Sequence, residues 1–270
     1  MRSLPLAGRI GLFFVAAWLL LAVIGPSIAP HPVGAVVAQD VYGTFSAAHP
    51  LGTDYLGRDM LSRILYGARF TIGLALVAAL AASVTGTTLA LVAATAGGWV
   101  DEVMSRLMDT LISIPSKMLA LVMVAAFGSA VGLLILTAAV SYTPGAFRIA
   151  RALAVNVSTL EYVPAARARG ERLPYVALVE ILPNMVNPML ADFGLRFVFV
   201  VLLLSGMSFL GLGVQPPNAD LGSLVRENIS GLFEGAPAVV MPAIAIATLT
   251  VSVNLLIDGI SGRATRVAEN

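Results

Sequence analysis

Apolar segments long enough to cross a membrane recur six times in this chain of 270 residues. An α-helix rises about 1.5 Å per residue, so about 20 apolar residues span the roughly 30 Å hydrocarbon core of a bilayer. The segments are residues 10–28, 70–96, 103–127, 131–149, 193–212 and 239–257. Because 58% of the residues are hydrophobic and only 11% are charged, the sequence predicts an all-α polytopic membrane protein with six transmembrane helices.

The first apolar segment also has features of a secretory signal. Arg2 and Arg9 precede it, and residues 27–29 (Ser-Ile-Ala) resemble a cleavage site. Pro30 directly after that site argues against cleavage, and the apolar run is long for the hydrophobic region of a signal peptide. We therefore expect a retained transmembrane helix.

Basic residues are distributed unevenly between the loops. An N-terminus inside the cell puts ten of the sixteen on the cytoplasmic side, namely Arg2, Arg9, Arg106, Arg148, Arg151, Arg167, Arg169, Arg172, Arg263 and Arg266. The positive-inside rule therefore predicts that both termini are cytoplasmic. Residues 30–69 and 213–238 become the main external segments, and residues 148–184 become the main cytoplasmic one.

The cytoplasmic stretch 161–183 is an arginine-rich hydrophilic island, EYVPAARARGERLPYVALVEILP. Pro164 presets φ near a helix start, Ala165 and Ala166 are small, and Gly170 can adopt the left-handed conformation that ends a helix. These residues predict a short helix with small side chains on one face. Such a helix can insert into a groove of a soluble partner or lie on anionic lipid headgroups, and the residues alone leave both interpretations open.

The spacing of Ala165-Ala166, Gly170 and Leu182-Pro183 resembles the EAA loop in permease subunits of binding-protein-dependent ABC importers. The resemblance implies a type I importer permease architecture, in which this loop is a coupling helix that seats in a cleft of the ATPase. The coupling residues would be Pro164, Ala165, Ala166, Arg167, Gly170, Leu182 and Pro183. Two positions depart from the pattern, since Pro164 replaces a glutamate and Glu180 replaces an aliphatic residue or histidine.

Three further segments narrow the family. Residues 49–59 (HPLGTDYLGRD), 97–101 (GGWVD) and 208–217 (SFLGLGVQPP) resemble the peptide/nickel permeases of the dipeptide and oligopeptide C-subunit type. The similarity extends over about residues 48–260. It implies an N-terminal helix and external segment (1–69), a permease domain (70–260) with its coupling loop at 155–183, and a short cytoplasmic tail (261–270). Independently, the i,i+4 spacing of Asp59 and Arg63 predicts an ion pair on the outer face.

The resemblance also implies an assembly in the bacterial cytoplasmic (inner) membrane. The partners would be membrane lipid, a second, non-identical permease subunit, two ABC ATPase subunits and an extracytoplasmic solute-binding protein, with no nucleic acid. The chain contains no GxxxxGK[ST] phosphate loop, so we expect ATP and Mg on the ATPase subunits and no cofactor or metal on this chain. Solutes of the family include dipeptides, oligopeptides, nickel chelates, opines, glutathione and some sugars, so the sequence leaves the solute open.

Charged residues inside the apolar segments suggest further roles. Lys117, the sole lysine, would lie about 24 Å along a continuous third helix from Asp101. One interpretation is that Lys117 lines the translocation path and helps an anionic or carboxylate-bearing solute across. The other is that it extends toward the outer interface or pairs with an acidic residue of the second permease subunit. Arg196, four residues after Asp192, predicts a local ion pair.

Two other protein classes fit the sequence less well. A membrane-embedded hydrolase is disfavoured because cysteine is absent, no intramembrane carboxylate pair has aspartyl-protease spacing, and both histidines lie in the external segment. Those histidines, His31 and His49, are 18 residues apart, which is more typical of solvated side chains than of nickel ligands. The alternative function is a secondary transporter or channel not driven by ATP, but only the region of Pro115 and Lys117 suggests an interrupted helix.

Overall fold

The architecture is helical throughout its membrane-spanning part. A computed structural model describes the backbone of residues 5–268 and the side chains of residues 5–260. Arg2 and the last two residues of the predicted tail therefore lie outside the described residues. The α-helices are α1 (Leu6–Ile28), α2 (Met60–Ala96), α3 (Gly98–Ile112), α4 (Ser116–Phe127), α5 (Val131–Ser158), α6 (Tyr162–Ala168), α7 (Leu173–Tyr175), α8 (Leu182–Phe209), α9 (Leu221–Glu227) and α10 (Pro237–Ala268). A π-helical turn (Val176–Ile181) precedes α8, and a 3₁₀ turn (Ile229–Glu234) precedes α10.

Five helical stretches are long and apolar enough to cross a membrane, which confirms five of the predicted spans. They are α1, α2, α5, the stretch Leu173–Phe209 that ends in α8, and α10 up to Ile260. The all-α fold class is therefore confirmed, with a sixth crossing available if α3 and α4 are counted as one broken span.

The third predicted span, residues 103–127, is not one continuous helix. Its residues belong to α3 and α4, which meet at an angle of 80° across residues 113–115. Pro115 has no N–H to donate to the preceding turn, and its own carbonyl accepts the backbone N–H of Leu119 as α4 begins (3.0 Å). The distance of about 24 Å from Asp101 to Lys117 along one helix axis therefore does not apply.

Small residues let the spanning helices approach closely. Four alanines on one face of α2, at positions 75, 78, 79 and 82, are fully buried. A Cβ added to Gly86 would lie 2.5 Å from the Cβ of Ala146 on α5, and one added to Gly11 would lie 2.5 Å from the backbone nitrogen of Leu256 on α10. Lipid tails are as apolar as the helices, so close van der Waals contact takes the place of the hydrophobic drive. The first span is thus a packed part of the bundle.

The two ends of the bundle are built differently. We call the end that carries α6 the coupling end and the opposite end, which carries α9, the outer end. At the coupling end an apolar cluster joins α2, α5, α6, the π-helical turn and α8; its largest members are Leu91, Phe147, Val163, Val176, Ile181, Met185 and Met189. That the coupling end faces the cytoplasm, with both termini inside, stays a prediction.

A buried ion-pair cluster closes the outer end, and it corrects the predicted pairing of Arg63. The Arg63 guanidinium donates to Asp54 (2.6 Å) and to Glu227 (2.8 Å), and Arg58 also binds both carboxylates. Asp59 instead caps α2 by accepting the backbone N–H of Ser62 (2.8 Å). The prediction of an i,i+4 ion pair between Asp59 and Arg63 is therefore wrong, because a helix N-cap carboxylate turns back toward the first-turn N–H groups.

Asp220 fastens α9 to α8 at the same end. Its carboxylate accepts the backbone N–H of Ser223 (2.9 Å) and the hydroxyl of Ser208 (2.8 Å). Only 2% of Asp220 is exposed, and this burial raises the pKa of its carboxyl, while the hydrogen bonds from Ser223 and Ser208 act in the opposite direction. The capping box of α9 is thereby held against the fifth apolar span.

The proposed division into segments 1–69, 70–260 and 261–270 stays a prediction. In the described backbone α2 runs unbroken through residue 69, and α10 runs unbroken through residue 260.

Candidate coupling and translocation sites

The hydrophilic island folds into a short helix, α6, that lies across the coupling end. Pro164 occupies its third position, inside the first turn where backbone N–H groups have no helical partner. Val163 and Ala166 are buried, whereas Pro164, Ala165 and Ala168 are exposed. One face of α6 therefore packs on the bundle, and the other presents small side chains and a proline ring outward.

Gly170 ends α6 with the predicted left-handed conformation, at φ +85°. The backbone N–H of Gly170 donates to the carbonyl of Arg167 (3.0 Å), and that of Glu171 donates to the carbonyl of Ala166 (3.2 Å). Nothing lies within 4 Å of the position that a Cβ would take. Glycine is therefore required here by backbone conformation, since a left-handed residue with a side chain costs about 1–2 kcal/mol.

The inner face of α6 is connected to several spans at once. Val163 packs in the coupling-end cluster with residues of α2, α5 and α8. The Arg167 guanidinium donates to the carbonyl of Thr95 (3.4 Å), one residue before α2 ends at Ala96. A cation at a helix C-terminus also complements the helix dipole. α6 thus packs directly on α5 and the π-helical turn, and through Val163 it belongs to an apolar cluster that also contains residues of α2 and α8.

Glu180, one of the two departures from the family pattern, has a local partner. Its carboxylate lies 3.7 Å from the Arg169 guanidinium, which fastens the end of α6 to the π-helical turn. The adjacent Pro183 lacks a backbone N–H, so a regular helical bond is missing where the wide turn passes into α8. The side chain of Asn184 donates back to the carbonyl of Glu180 (2.8 Å).

The first turn of α3 is held by an ion pair that the sequence did not predict. The Arg151 guanidinium of α5 donates through two nitrogens to the two carboxylate oxygens of Asp101. Fifty positions separate these residues. Their one sequence signal is that opposite charges stand at the ends of two spans that meet on the same side of the bundle. The pair fixes the broken third span to α5.

A cavity of about 710 Å³ opens beside the break between α3 and α4, and we call it the polar cavity because of the charged and hydroxyl side chains in its largely apolar wall. It is lined by α5 and α8 as well, and it contains Tyr142, Arg148 and the pair Asp192 and Arg196. The predicted ion pair of Asp192 and Arg196 is confirmed as bidentate, at 2.6 and 2.8 Å, and Arg196 also donates to the carbonyl of Tyr142 (3.0 Å). Arg148 is exposed in this cavity and has no ion pair within residues 5–260. Sequence reasoning placed Arg148 only among the cytoplasmic arginines.

Lys117 lies further toward the outer end. It lines a cavity of about 230 Å³ with Leu121 of α4 and with residues of α8, among them Leu203, Gly206 and Leu210. Its side chain is exposed and has no ion pair among the residues that the structure describes. Successive turns of α8 line the polar cavity first and this one next, so the two cavities follow one continuous face of α4 and α8. We call it the α4–α8 face.

The structure therefore separates the predicted site residues into two places. Helix α6 contains Pro164, Ala165, Ala166 and Arg167, and Gly170 ends the turn after it. Helix α8 begins beside it with Leu182 and Pro183. Lys117 is on α4, on the α4–α8 face.

Comparison with known proteins decides the family. Residues 86–266, which include α6, match the family described as binding-protein-dependent transport system inner membrane component. The chain belongs to this family. It is thus a transmembrane permease, a multi-pass protein of the bacterial cytoplasmic membrane, and the predicted family is confirmed.

Individual relatives agree with this assignment of the permease. It is 33% identical to the glutathione transport system permease protein of Pectobacterium atrosepticum, over 80% of this chain and 71% of that one. It is 30% identical to the dipeptide transport system permease proteins of Haemophilus influenzae and Bacillus subtilis, over 93% of this chain and over 87% and 78% of those relatives. The family supports a role as a transport subunit of a binding-protein-dependent ABC importer, and not the alternative of a secondary transporter or channel.

Proposed function

We propose that this permease forms half of the translocation path for a peptide or peptide-like solute and is driven by separate ATPase subunits bound at the 161–183 loop. The observation that carries the coupling role is the two-sided helix α6. Its inner face packs on α5 and the π-helical turn within the coupling-end cluster, and its outer face exposes Pro164, Ala165 and Ala168, which leave room for a partner's cleft.

The solute class rests on the relatives. Permeases named for dipeptide transport match this chain over 93% of its length, and one named for glutathione, itself a tripeptide, matches over 80%. Peptides carry a C-terminal carboxylate. Two exposed cations, Lys117 on the α4–α8 face and Arg148 of α5 in the cavity beside it, lack an ion pair in the described residues. Exposed cations in a water-filled path favour passage of such an anionic group.

The proposed assembly contains a second, non-identical permease subunit, two ABC ATPase subunits and an extracytoplasmic solute-binding protein. ATP and Mg are assigned to the ATPases, and no cofactor or metal is needed on this chain for transport. The second permease would complete the path along the α4–α8 face. Closure of the ATPase pair on ATP would move α6, and the coupling-end cluster would carry that motion into α2, α5 and α8.

Reconstitution of the whole assembly tests this function. With the cognate binding protein outside proteoliposomes and ATP within them, at the ATPase face, labelled dipeptide is expected to accumulate inside. Matched vesicles receive a non-hydrolysable ATP analogue, which supports ATPase closure but not turnover. Uptake that proceeds equally with the analogue would contradict an ATP-driven importer, and saturable uptake of another solute with no dipeptide uptake would contradict the solute class.

Lys117 can be tested in the same assay. We expect Lys117→Met to slow dipeptide uptake about fivefold, because loss of one partly solvated charge contact is worth about 1 kcal/mol. Lys117→Arg keeps the charge on the same face of α4 and is the matched control, expected to retain most uptake. ATPase co-purification should be equal in both variants. Unchanged uptake by Lys117→Met, with unchanged solute preference, would exclude Lys117 from the path and leave its interfacial role.

A further inference from the structure

The fold brings both histidines of the chain together at the outer end, contrary to the expectation from their spacing. His31 follows the end of α1, His49 lies in the external segment, and their ring centroids are 5.6 Å apart. The N-cap carboxylate of α2, Asp59, faces them, with its Oδ1 atom 3.2 Å from Nδ1 of His49. One ligand atom from each of the three residues lies within 4.8 Å of the other two.

Hydrogen bonds around the three residues hold them in place. The Ser62 hydroxyl donates to Oδ2 of Asp59 (2.7 Å) and accepts the backbone N–H of His31 (3.0 Å). The backbone N–H of His49 donates to the hydroxyl of Ser46 (2.9 Å). Asp59 is only 2% exposed, and its Oδ1 atom points toward His49. Outer contacts of this kind orient the ligands of metal sites in proteins.

The chemistry of the donor set selects a class of ion. Two imidazoles and one carboxylate suit Zn²⁺, Cu²⁺ and related transition metals, whereas Mg²⁺ and Ca²⁺ prefer oxygen ligands alone. Ligand atoms around a tetrahedral Zn²⁺ are bound at about 2.0–2.2 Å and so lie about 3.3–3.5 Å apart. Nδ1 of His49 already lies close to this spacing from Asp59, and the half-buried ring of His31, which makes no hydrogen bond among the described residues, has the remaining distance to close. The nearby cations Arg58 and Arg63 are already neutralised by Asp54 and Glu227.

We propose that His31, His49 and Asp59 form a binding site for a divalent transition metal ion on the outer end of the permease. The site is independent of the coupling loop and of the α4–α8 face. It joins three points that are separate in the sequence: the exit of α1, the external segment and the start of α2. A bound ion would therefore clamp the external segment onto the first two spans and stabilise the outer end.

The test uses the full chain, purified through a tag without histidine, so that every imidazole belongs to the site. Competition for Zn²⁺ with a chromogenic chelator is expected to show one ion bound per chain. His31→Ala should weaken that binding about tenfold or more, since loss of even an outer contact costs about 10–100-fold. His31 makes no side-chain hydrogen bond within residues 5–260, so this variant keeps the outer-end network. Asp40→Asn removes an exposed carboxylate of the same segment and is the matched control, expected to bind as the native chain does.

A spectroscopic measurement gives a second readout. The electron paramagnetic resonance spectrum of Cu²⁺ bound to the native chain should show hyperfine coupling to two imidazole nitrogens, falling to one in His31→Ala and to none in the variant lacking both histidines. Stoichiometric Zn²⁺ binding that is unchanged in His31→Ala would overturn the proposal. So would a native chain that binds no more tightly than the variant without histidines.

Discussion

Replacement of Ala165 by arginine is expected to detach the ATPase from the permease while the permease itself stays folded. Ala165 lies on the outer face of α6 and is exposed, so the longer side chain does not disturb the bundle. In the proposed complex the same position is buried in the partner's cleft. A buried charge without a partner there costs about 3 kcal/mol, which weakens Kd about a hundredfold. Co-purification of the ATPase with the tagged permease measures the loss.

Two controls separate docking from folding. Ala165→Ser keeps the side chain small and should retain the ATPase. Ala47→Arg introduces the same charge at an exposed alanine of the external segment, where the ATPase cannot reach in the predicted orientation, and should also retain it. If Ala165→Arg co-purifies with as much ATPase as these two variants, the outer face of α6 is not the docking surface. Loss of the ATPase in Ala47→Arg would contradict the predicted orientation instead.

The neighbouring Ala166 is unsuited to this test, although the sequence pattern treats the two alanines alike. Ala166 is fully buried on the inner face of α6, so a bulky residue there would push the helix off the bundle. Loss of the ATPase would then report misfolding rather than docking. The burial pattern thus divides the predicted coupling residues into those that contact the bundle and those available to a partner.

Hydropathy and spacing predicted the spans and the small-residue coupling helix, because both depend on residues close in the sequence. Helix α2 begins ten residues before the start of the predicted span. Met60, Ser62 and Arg63 lie inside the helix although the predicted span began at residue 70. Arg63 is tolerated there because Asp54 and Glu227 neutralise it, and Glu227 is 164 positions away. A hydropathy average treats that arginine as the end of an apolar segment, because it includes only residues that are close in the sequence and not the distant carboxylate.

Contacts between residues far apart in the sequence also explain the other differences between prediction and structure. Pro115 was visible as an interruption of the third apolar segment, but the angle of 80° depends on how α3 packs on α2 and α5 and how α4 packs on α5 and α8. His31 and His49 were predicted to be solvated because 18 residues of loop separate them, yet α1 and the start of α2 bring them within contact. By contrast, Asp192 and Arg196 were predicted to pair because i,i+4 neighbours share a helix face whatever the tertiary structure.

The pair of Asp192 and Arg196 is expected to be the most sensitive site for stability within the spans. Asp192→Ala removes both carboxylate oxygens and leaves the Arg196 guanidinium buried with the Tyr142 carbonyl as its remaining acceptor. Both residues are only 6% exposed, so the loss is expected to be about 3–5 kcal/mol. The measurement is the fraction of monodisperse permease that survives heating in detergent, compared with Asp258→Asn, which alters an exposed carboxylate of α10.

A double replacement decides whether the loss comes from the unpaired charge or from a missing side chain. Asp192→Leu combined with Arg196→Met removes both charges and roughly preserves volume, and apolar substitutes for a buried ion pair are often neutral or stabilising. The double variant is therefore expected to be more stable than Asp192→Ala and close to the native chain. If it is less stable than Asp192→Ala, the Arg196 contact with Tyr142 holds α5 to α8 more strongly than the ion pair does. If it is stable but transports no solute, the pair serves the polar cavity of the α4–α8 face rather than the fold.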